Sequence, residues 1–179
     1  MIPLHAVRLF ALLFVALALA ACEDRAPFER ACDAGDTKAC LVLGEMLAKG
    51  RGGVMNKKRA VAVLSRACDA GDAAACALGG GVAYARDDGD SQRLLLEACR
   101  LGHVRGCVDA AWMLRHGEGG DADAAKADAL LVTACEKGEA DGCFFLGLER
   151  ELRGGRGAAE LFDRACALGD PLACGRRAP

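Results

Sequence analysis

The chain has 179 residues, a net charge of −2, 53% hydrophobic residues, only 4% aromatics and eleven cysteines. Near-balanced charge without a basic stripe argues against nucleic-acid binding. With so few aromatics, the cysteines must help to explain how the chain stays folded.

Residues 1–21 carry Arg8 as their only charged side chain and run unbroken and apolar from Leu9 to Ala21, just before Cys22, Glu23 and Asp24. The run is too short for a comfortable membrane span and ends in small residues, as a signal peptide does. Leu19, Ala20, Ala21 and Cys22 resemble a bacterial lipobox, which implies cleavage before Cys22 and lipidation of that cysteine. The alternative is an ordinary secretory leader with a free thiol at Cys22. Two or three acyl chains would hold the mature protein firmly, whereas one binds only marginally. The chain is therefore expected to divide into a leader (1–21), a tether (22–27), a repeat array (28–175) and a tail (176–179).

The other ten cysteines form five pairs, each with the second cysteine eight residues after the first: Cys32 and Cys40, Cys68 and Cys76, Cys99 and Cys107, Cys135 and Cys143, Cys166 and Cys174. The first members, at 32, 68, 99, 135 and 166, repeat at intervals of 36, 31, 36 and 31 residues, the period of helical-hairpin arrays. Export favours disulfides over free thiols. Zinc knuckles need cysteines two to four residues apart, which no pair shows, so no metal or cofactor is expected. A bridge closing so short a loop contributes about 2.5 kcal/mol in the chain-entropy model.

Each pair has the same surroundings. Alanine precedes the first cysteine (Ala31, Ala67, Ala98, Ala134, Ala165), and glycine follows three residues after it (Gly35, Gly71, Gly102, Gly138, Gly169). Glycine can take the left-handed conformation that ends a helix. Asp36, Asp72 and Asp170 come next and can cap a new helix; His103 and Glu139 replace them in two units. The first cysteine thus ends one helix, the second begins an antiparallel one, and the bridge staples repeat to repeat.

Packing positions repeat as well. Leu64, Leu95, Leu131 and Phe162 lie four residues before the first cysteine, with Ala60, Ser91, Ala127 and Ala158 one turn earlier. Gly44, Gly80, Ala111 and Gly147 lie four residues after the second cysteine, where small size admits a neighbouring helix. The run Gly79, Gly80, Gly81 should make the second unit the softest, because glycine costs about 0.8 to 1 kcal/mol in a helix. Long units contain glycine-rich connections from Lys49 to Val54 and from His116 to Asp121; short units pass through Arg86 to Asp90 and Arg153 to Gly157. The five-residue difference is expected to come out of the loop. A phosphate-loop reading of these glycines fails for want of a preceding strand and a Gly-Lys-Ser/Thr ending.

The runs Cys40-Leu-Val-Leu-Gly-Glu-Met46, Gly50-Arg-Gly-Gly-Val54, Lys58-Arg-Ala-Val-Ala-Val-Leu64 and Ala67-Cys-Asp-Ala-Gly-Asp-Ala-Ala-Ala-Cys76 resemble the Sel1-like repeat, a relative of the tetratricopeptide hairpin. With its paired cysteines the chain is most similar to the cysteine-rich secreted proteins of Helicobacter. The resemblance implies an all-α fold, an α/α solenoid of disulfide-stapled hairpins wound as a right-handed superhelix. Its units fall at about 36–71, 72–102, 103–138 and 139–169, followed by a stub at 170–175 whose bridge would serve as a terminal cap.

For function, the resemblance implies an adaptor that binds a protein or cell-wall partner on a concave face, attached to the inner or outer membrane and facing the periplasm or exterior. Two alternatives stand beside it: a β-lactam-binding or weakly β-lactam-hydrolysing protein, as in the Helicobacter group, and an envelope regulatory or stress factor. A serine β-lactamase needs serine with lysine three residues on, yet Ser65 and Ser91 are followed at that spacing by Cys68 and Leu94. No catalytic residue can therefore be assigned. His103, Trp112, Arg115 and His116 cluster near the third unit; the simplest reading makes Trp112 packed core with solvated charges beside it. Lys57 with Lys58, and Arg176 with Arg177, read as solvated faces.

Overall fold

A computed structural model describes residues 24–86 and 89–176. The leader and Cys22 lie outside the described residues, as do Arg177 and the two residues after it. Among the described residues there are ten helices and no strand: α1 (Ala26–Asp33), α2 (Thr37–Lys49), α3 (Lys57–Asp69), α4 (Ala73–Tyr84), α5 (Ser91–Arg100), α6 (Val104–His116), α7 (Ala124–Glu136), α8 (Ala140–Leu152), α9 (Ala158–Ala167) and α10 (Pro171–Cys174). Each helix packs on the next, and α2 also meets α4, α3 meets α5, and α6 meets α8. This is an all-α solenoid of two helical layers.

The invariant alanine and glycine build one connection five times over. Gly35, Gly71, Gly102, Gly138 and Gly169 all have φ between 86° and 100°, the left-handed region that glycine enters without penalty. The residue after each glycine then donates its N–H back to the carbonyl of the invariant alanine, for example Asp36 to Ala31 and Asp170 to Ala165, both at 3.0 Å. That bond closes a Schellman motif. Asp36, Asp72 and Asp170 also cap the following helix through their side chains. His103 does the same, accepting the Gly106 N–H at Nδ1 over 3.1 Å, so it is a working cap; Glu139 makes no side-chain cap bond.

Disulfides join Cys32–Cys40, Cys68–Cys76, Cys99–Cys107, Cys135–Cys143 and Cys166–Cys174, with Cα atoms 4.5 to 4.7 Å apart. Such close approach demands small neighbours. A Cβ added to Gly106 would lie 2.9 Å from that of Ala98, and one on Gly142 would lie 2.6 Å from that of Ala134. The alanine before the first cysteine therefore faces the residue before the second, and neither can grow.

Inside each hairpin the large and small positions are partners. A Cβ on Gly44 would sit 2.4 Å from Leu64 Cγ, one on Gly80 2.6 Å from Leu95 Cγ, and one on Gly147 2.7 Å from Phe162 Cε1. Ala111 and Leu131 share the same cluster in the third hairpin. The glycine run expected to soften the second unit also has a packing role. Helix α4 runs unbroken through Gly79–Gly81, because two of those glycines are seats for Leu64 and Leu95.

The origin of the short units also differs from expectation. The long connections are residues 50–56 and 117–123, and the short ones 85–90 and 153–157. Most of the difference lies in the helix that follows: α3 and α7 have 13 residues, α5 and α9 have 10. Asn56 and Asp123 cap the longer helices with their side chains, whereas the shorter ones start without such a cap. The first turn is lost, and the buried face survives because Ser91 and Ala158 simply become first residues.

The ends are closed differently. Arg25, within the stretch read as tether, belongs to the fold: its guanidinium donates to the carbonyls of Arg51, Val54, Met46 and Gly53 at 2.6 to 3.2 Å. At the other end α10 is a four-residue helix. Arg176 is exposed, as expected, but it also lies 5.4 Å over the Phe162 ring and pairs with Glu151.

Candidate interaction surface

Helices α4, α6 and α8 present one row of equivalent positions, each immediately after the small residue that seats the neighbouring helix: Gly81, Trp112 and Leu148. Gly81 has no side chain and nothing within 4 Å of where one would begin. Trp112 therefore stands beside open space and is 48% exposed, against the expectation that it is packed core. The register could have revealed this, since Trp112 follows Ala111 and a residue next to the buried seat points along the outer edge of the layer.

Trp112 divides two hollows. On one side a groove of about 170 Å³ runs between α6 and α8, walled by Val108, Phe145, Leu148 and Leu152. His116 stacks on Trp112 with ring centroids 4.0 Å apart, and its Nδ1 lies 2.8 Å from the Trp112 carbonyl. Phe145 stands 6.4 Å from Trp112 across the groove. On the other side a hollow of about 260 Å³ is lined by Gly81, Tyr84, Leu95, Asp109 and Met113. Tyr84 is half exposed, and a hydrogen bond with Glu118 holds its phenol above the ordinary value.

A charged network closes the end of the groove. Arg115 on α6 pairs with Asp128 on α7 and with Glu149 on α8, the latter at 2.8 Å. Arg153 reaches Asp128 at 2.6 Å and Glu149 at 3.5 Å. Partial burial opposes the charge on Asp128, but hydrogen bonds from Arg153 and Arg115 outweigh it and hold its carboxyl below the usual value. Of the four residues grouped by sequence, the structure thus brings Trp112, Arg115 and His116 to one groove. His103 is absent from it, being engaged at the start of α6.

Ser91 is buried, and its hydroxyl donates to the Gly80 carbonyl at 2.9 Å with Met113 Sδ at 3.3 Å. No group of three or more His, Cys, Asp or Glu side chains among the described residues is placed to hold a metal ion. What the geometry offers is an amphipathic recess with an aromatic wall and a balanced ionic floor.

No protein-family model matches the sequence, and no curated protein does. Solved structures do match. A protective antigen of uropathogenic Escherichia coli, described as displaying an SLR fold, superposes with a TM-score of 0.72 at 20% identity, over 83% of this chain and 34% of its own. A Sel1 repeat protein from Oxalobacter formigenes gives 0.68 at 21% identity, over 82% of this chain and 64% of its own. The fold is that of the Sel1-like repeat. Cysteine rich protein B of Helicobacter pylori, with a TM-score of 0.53 at 25% identity, is covered over 92% of its length by 66% of this chain. The present Sel1-like array thus spans about a third of the first of these proteins and just under two thirds of the second. In its own register, Trp112 and the Arg115 network occupy the third and fourth hairpins.

Proposed function

We propose that the chain is an exported scaffold, tethered to a bacterial membrane through Cys22, that captures a protein partner on the surface centred on Trp112. The observation that carries this reading is the half-exposed Trp112 between two hollows. A solenoid gains nothing in stability by leaving its only tryptophan in water, whereas partner-binding surfaces draw on exposed aromatics beside arginine. The groove walls would take an apolar side chain, and Arg115 and Glu149 at its end would set the orientation of a polar neighbour. Five disulfides suit an oxidising compartment, and Leu19 to Cys22 resemble a lipobox.

The test is capture from a cell-envelope extract by the mature, oxidised chain, run beside Trp112→Ala and Phe145→Ser. A specific protein retained by the wild type and lost at least about 30-fold by Trp112→Ala would match an aromatic anchor. Equal retention by the variant, or no specific protein at all, would overturn the reading. Intact mass of the mature protein checks the tether separately, through the lipid on Cys22.

A further inference from the structure

Two loops of the array share most of their backbone, apart from Gly53 (φ 150°), whose counterpart Gly120 has no positive φ, and differ in chemistry. In residues 50–56 and 117–123, Gly50 and Gly117 have φ of 74° and 69°, and Gly52 and Gly119 have 67° and 78°. Arg51 and Glu118 donate N–H bonds to Met46 and Met113 at 2.9 and 3.0 Å; Asn56 and Asp123 donate to Leu47 and Leu114, both at 2.8 Å. Asn56 and Asp123 then cap the next helix identically, each accepting at 2.9 Å from the third residue on. On this frame the second loop carries Glu118, Asp121, Ala122 and Asp123, and α7 opens Ala124-Ala125-Lys126. The first carries Arg51, Val54 and Met55, and α3 opens Lys57-Lys58-Arg59.

The first loop's chemistry is costly to the fold. Val54 is 87% exposed and Met55 57%. Three cations in the first turn of α3 face the positive end of its dipole, where acidic residues would stabilise it. The second loop forms with Asp121 and Ala122 in place of Val54 and Met55, and with one cation, Lys126, in the first helical turn where α3 has three. Arg51 is held by Glu45 and Arg59 by Glu29, so the charge offered outward rests on Lys57 and Lys58.

Position supplies the second observation. Arg25 binds the first loop directly, through Nε to the Arg51 carbonyl at 2.6 Å and Nη1 to that of Val54 at 3.0 Å. Arg25 is three residues from Cys22, a reach of about 11 Å at full extension. A lipid on Cys22 would bring Val54 and Met55 to the bilayer with almost no slack.

We propose that residues 50–58 form a membrane-contact surface for anionic phospholipid: Val54 and Met55 enter the headgroup layer while Lys57 and Lys58 meet the phosphates. This rests on reading Cys22 as a lipid anchor. Apolar insertion and basic charge add to the anchor as a second signal. The loop needs little affinity of its own, because tethering makes its encounter with the bilayer intramolecular. The array would then stand on its first hairpin with the Trp112 groove three helices further along.

The experiment places a reporter at the loop. Val54→Trp in a Trp112→Phe background, as mature lipidated protein, is reconstituted on vesicles of phosphatidylglycerol with phosphatidylcholine and on phosphatidylcholine alone. Blue-shifted emission and quenching by brominated lipid on the anionic vesicles are expected, with Lys57→Glu/Lys58→Glu weakening the unlipidated Cys22→Ser form by at least about 25-fold. Asp121→Asn/Asp123→Asn in the second loop serves as the matched control and should leave binding unchanged. Protein that floats with vesicles while the introduced tryptophan remains water-exposed and unquenched would overturn the contact and leave the tether standing. Equal binding by the charge-reversed form, or a blue shift seen only with envelope protein, would overturn it too. Mature protein without lipid whose Cys22→Ser form still binds anionic vesicles through the loop would remove the tether and retain the surface.

Discussion

The interior seam at Cys68–Cys76 and the terminal seam at Cys166–Cys174 are closed by the same eight-residue bridge, yet they hold very different structures. Cys68 and Cys76 are fully buried, between a 13-residue and a 12-residue helix. Cys174 is exposed, Cys166 half-buried, and the helix that ends at Cys174 has four residues. Loop length alone would give both bridges the same value. The difference teaches that a cross-link contributes only as much as the element it secures is able to lose.

The largest effect should come from testing that directly. Cys68→Ala/Cys76→Ala is expected to lower unfolding free energy by about 2.5 kcal/mol, the chain-entropy value, because α3 and α4 cannot separate without global unfolding. Cys166→Ala/Cys174→Ala should cost less than about 1 kcal/mol, since α10 can detach locally and the loss is capped at its docking energy. Denaturant midpoints measure both, and amide exchange should place the second loss within residues 170–176. Equal losses would break the comparison.

Ionic closure follows the same division. Arg115, Asp128 and Glu149 are mostly buried and join α6, α7 and α8, whereas the terminal Arg176 and Glu151 are exposed. Asp128→Asn should cost about 1.5 kcal/mol, the value of hydrogen bonds to a charged group. Because the folded carboxyl is held below its usual value, its contribution is present above the unfolded value of about 3.9 and is lost as pH falls through the lower folded one. Wild type and variant should therefore differ at pH 7 and converge below about pH 4 in thermal or urea unfolding.

The repeat was legible because its requirements are local. Alanine, cysteine and glycine recur wherever a Schellman turn and a close helix contact recur, so the register of the bridges could be read directly. Gly44 and Leu64 were each legible as small and large positions, but not as partners, since sequence spacing does not say which residues meet across a hairpin. The packing role of the Gly79–Gly81 run was not legible for that reason: propensity alone says softness, while the structure adds Leu64 and Leu95 filling the vacated space. Trp112 was assigned to the core from its position in the hairpin, although its register next to Ala111 and the empty Gly81 position beside it place it at an exposed edge. Arg25 gave no signal, because its partners are backbone carbonyls more than twenty residues away.

A smaller effect tests the helix seats. Gly80→Ala would put a Cβ 2.6 Å from Leu95 Cγ and 3.3 Å from the Leu95 backbone nitrogen. Overpacking costs about 1 to 3 kcal/mol, and alanine returns about 0.8 to 1 kcal/mol of helix propensity, leaving about 1 kcal/mol of net loss. At Gly147 the contact is the edge of the Phe162 ring, next to the end of the array, where a small outward shift relieves it. Gly147→Ala should be nearly neutral. Adding Leu95→Val to Gly80→Ala should recover part of the loss, and that non-additivity separates a steric seat from a backbone effect.

The smallest effect concerns the contact of Arg176 with Phe162. Phe162 is buried, and Arg176 lies over its ring while pairing with Glu151. A cation over an exposed-side ring contributes about 0.5 to 1 kcal/mol, and an exposed ion pair usually less. Arg176→Ala should therefore cost about 0.5 kcal/mol and raise exchange in α9 and α10, leaving α3 and α4 unchanged. Arg176→Lys keeps the charge but loses the flat guanidinium that covers the ring, so it should recover less than half. A loss as large as that of Asp128→Asn would mean that the terminal seam is closed as deeply as the interior one, with Arg176 standing in for a helix.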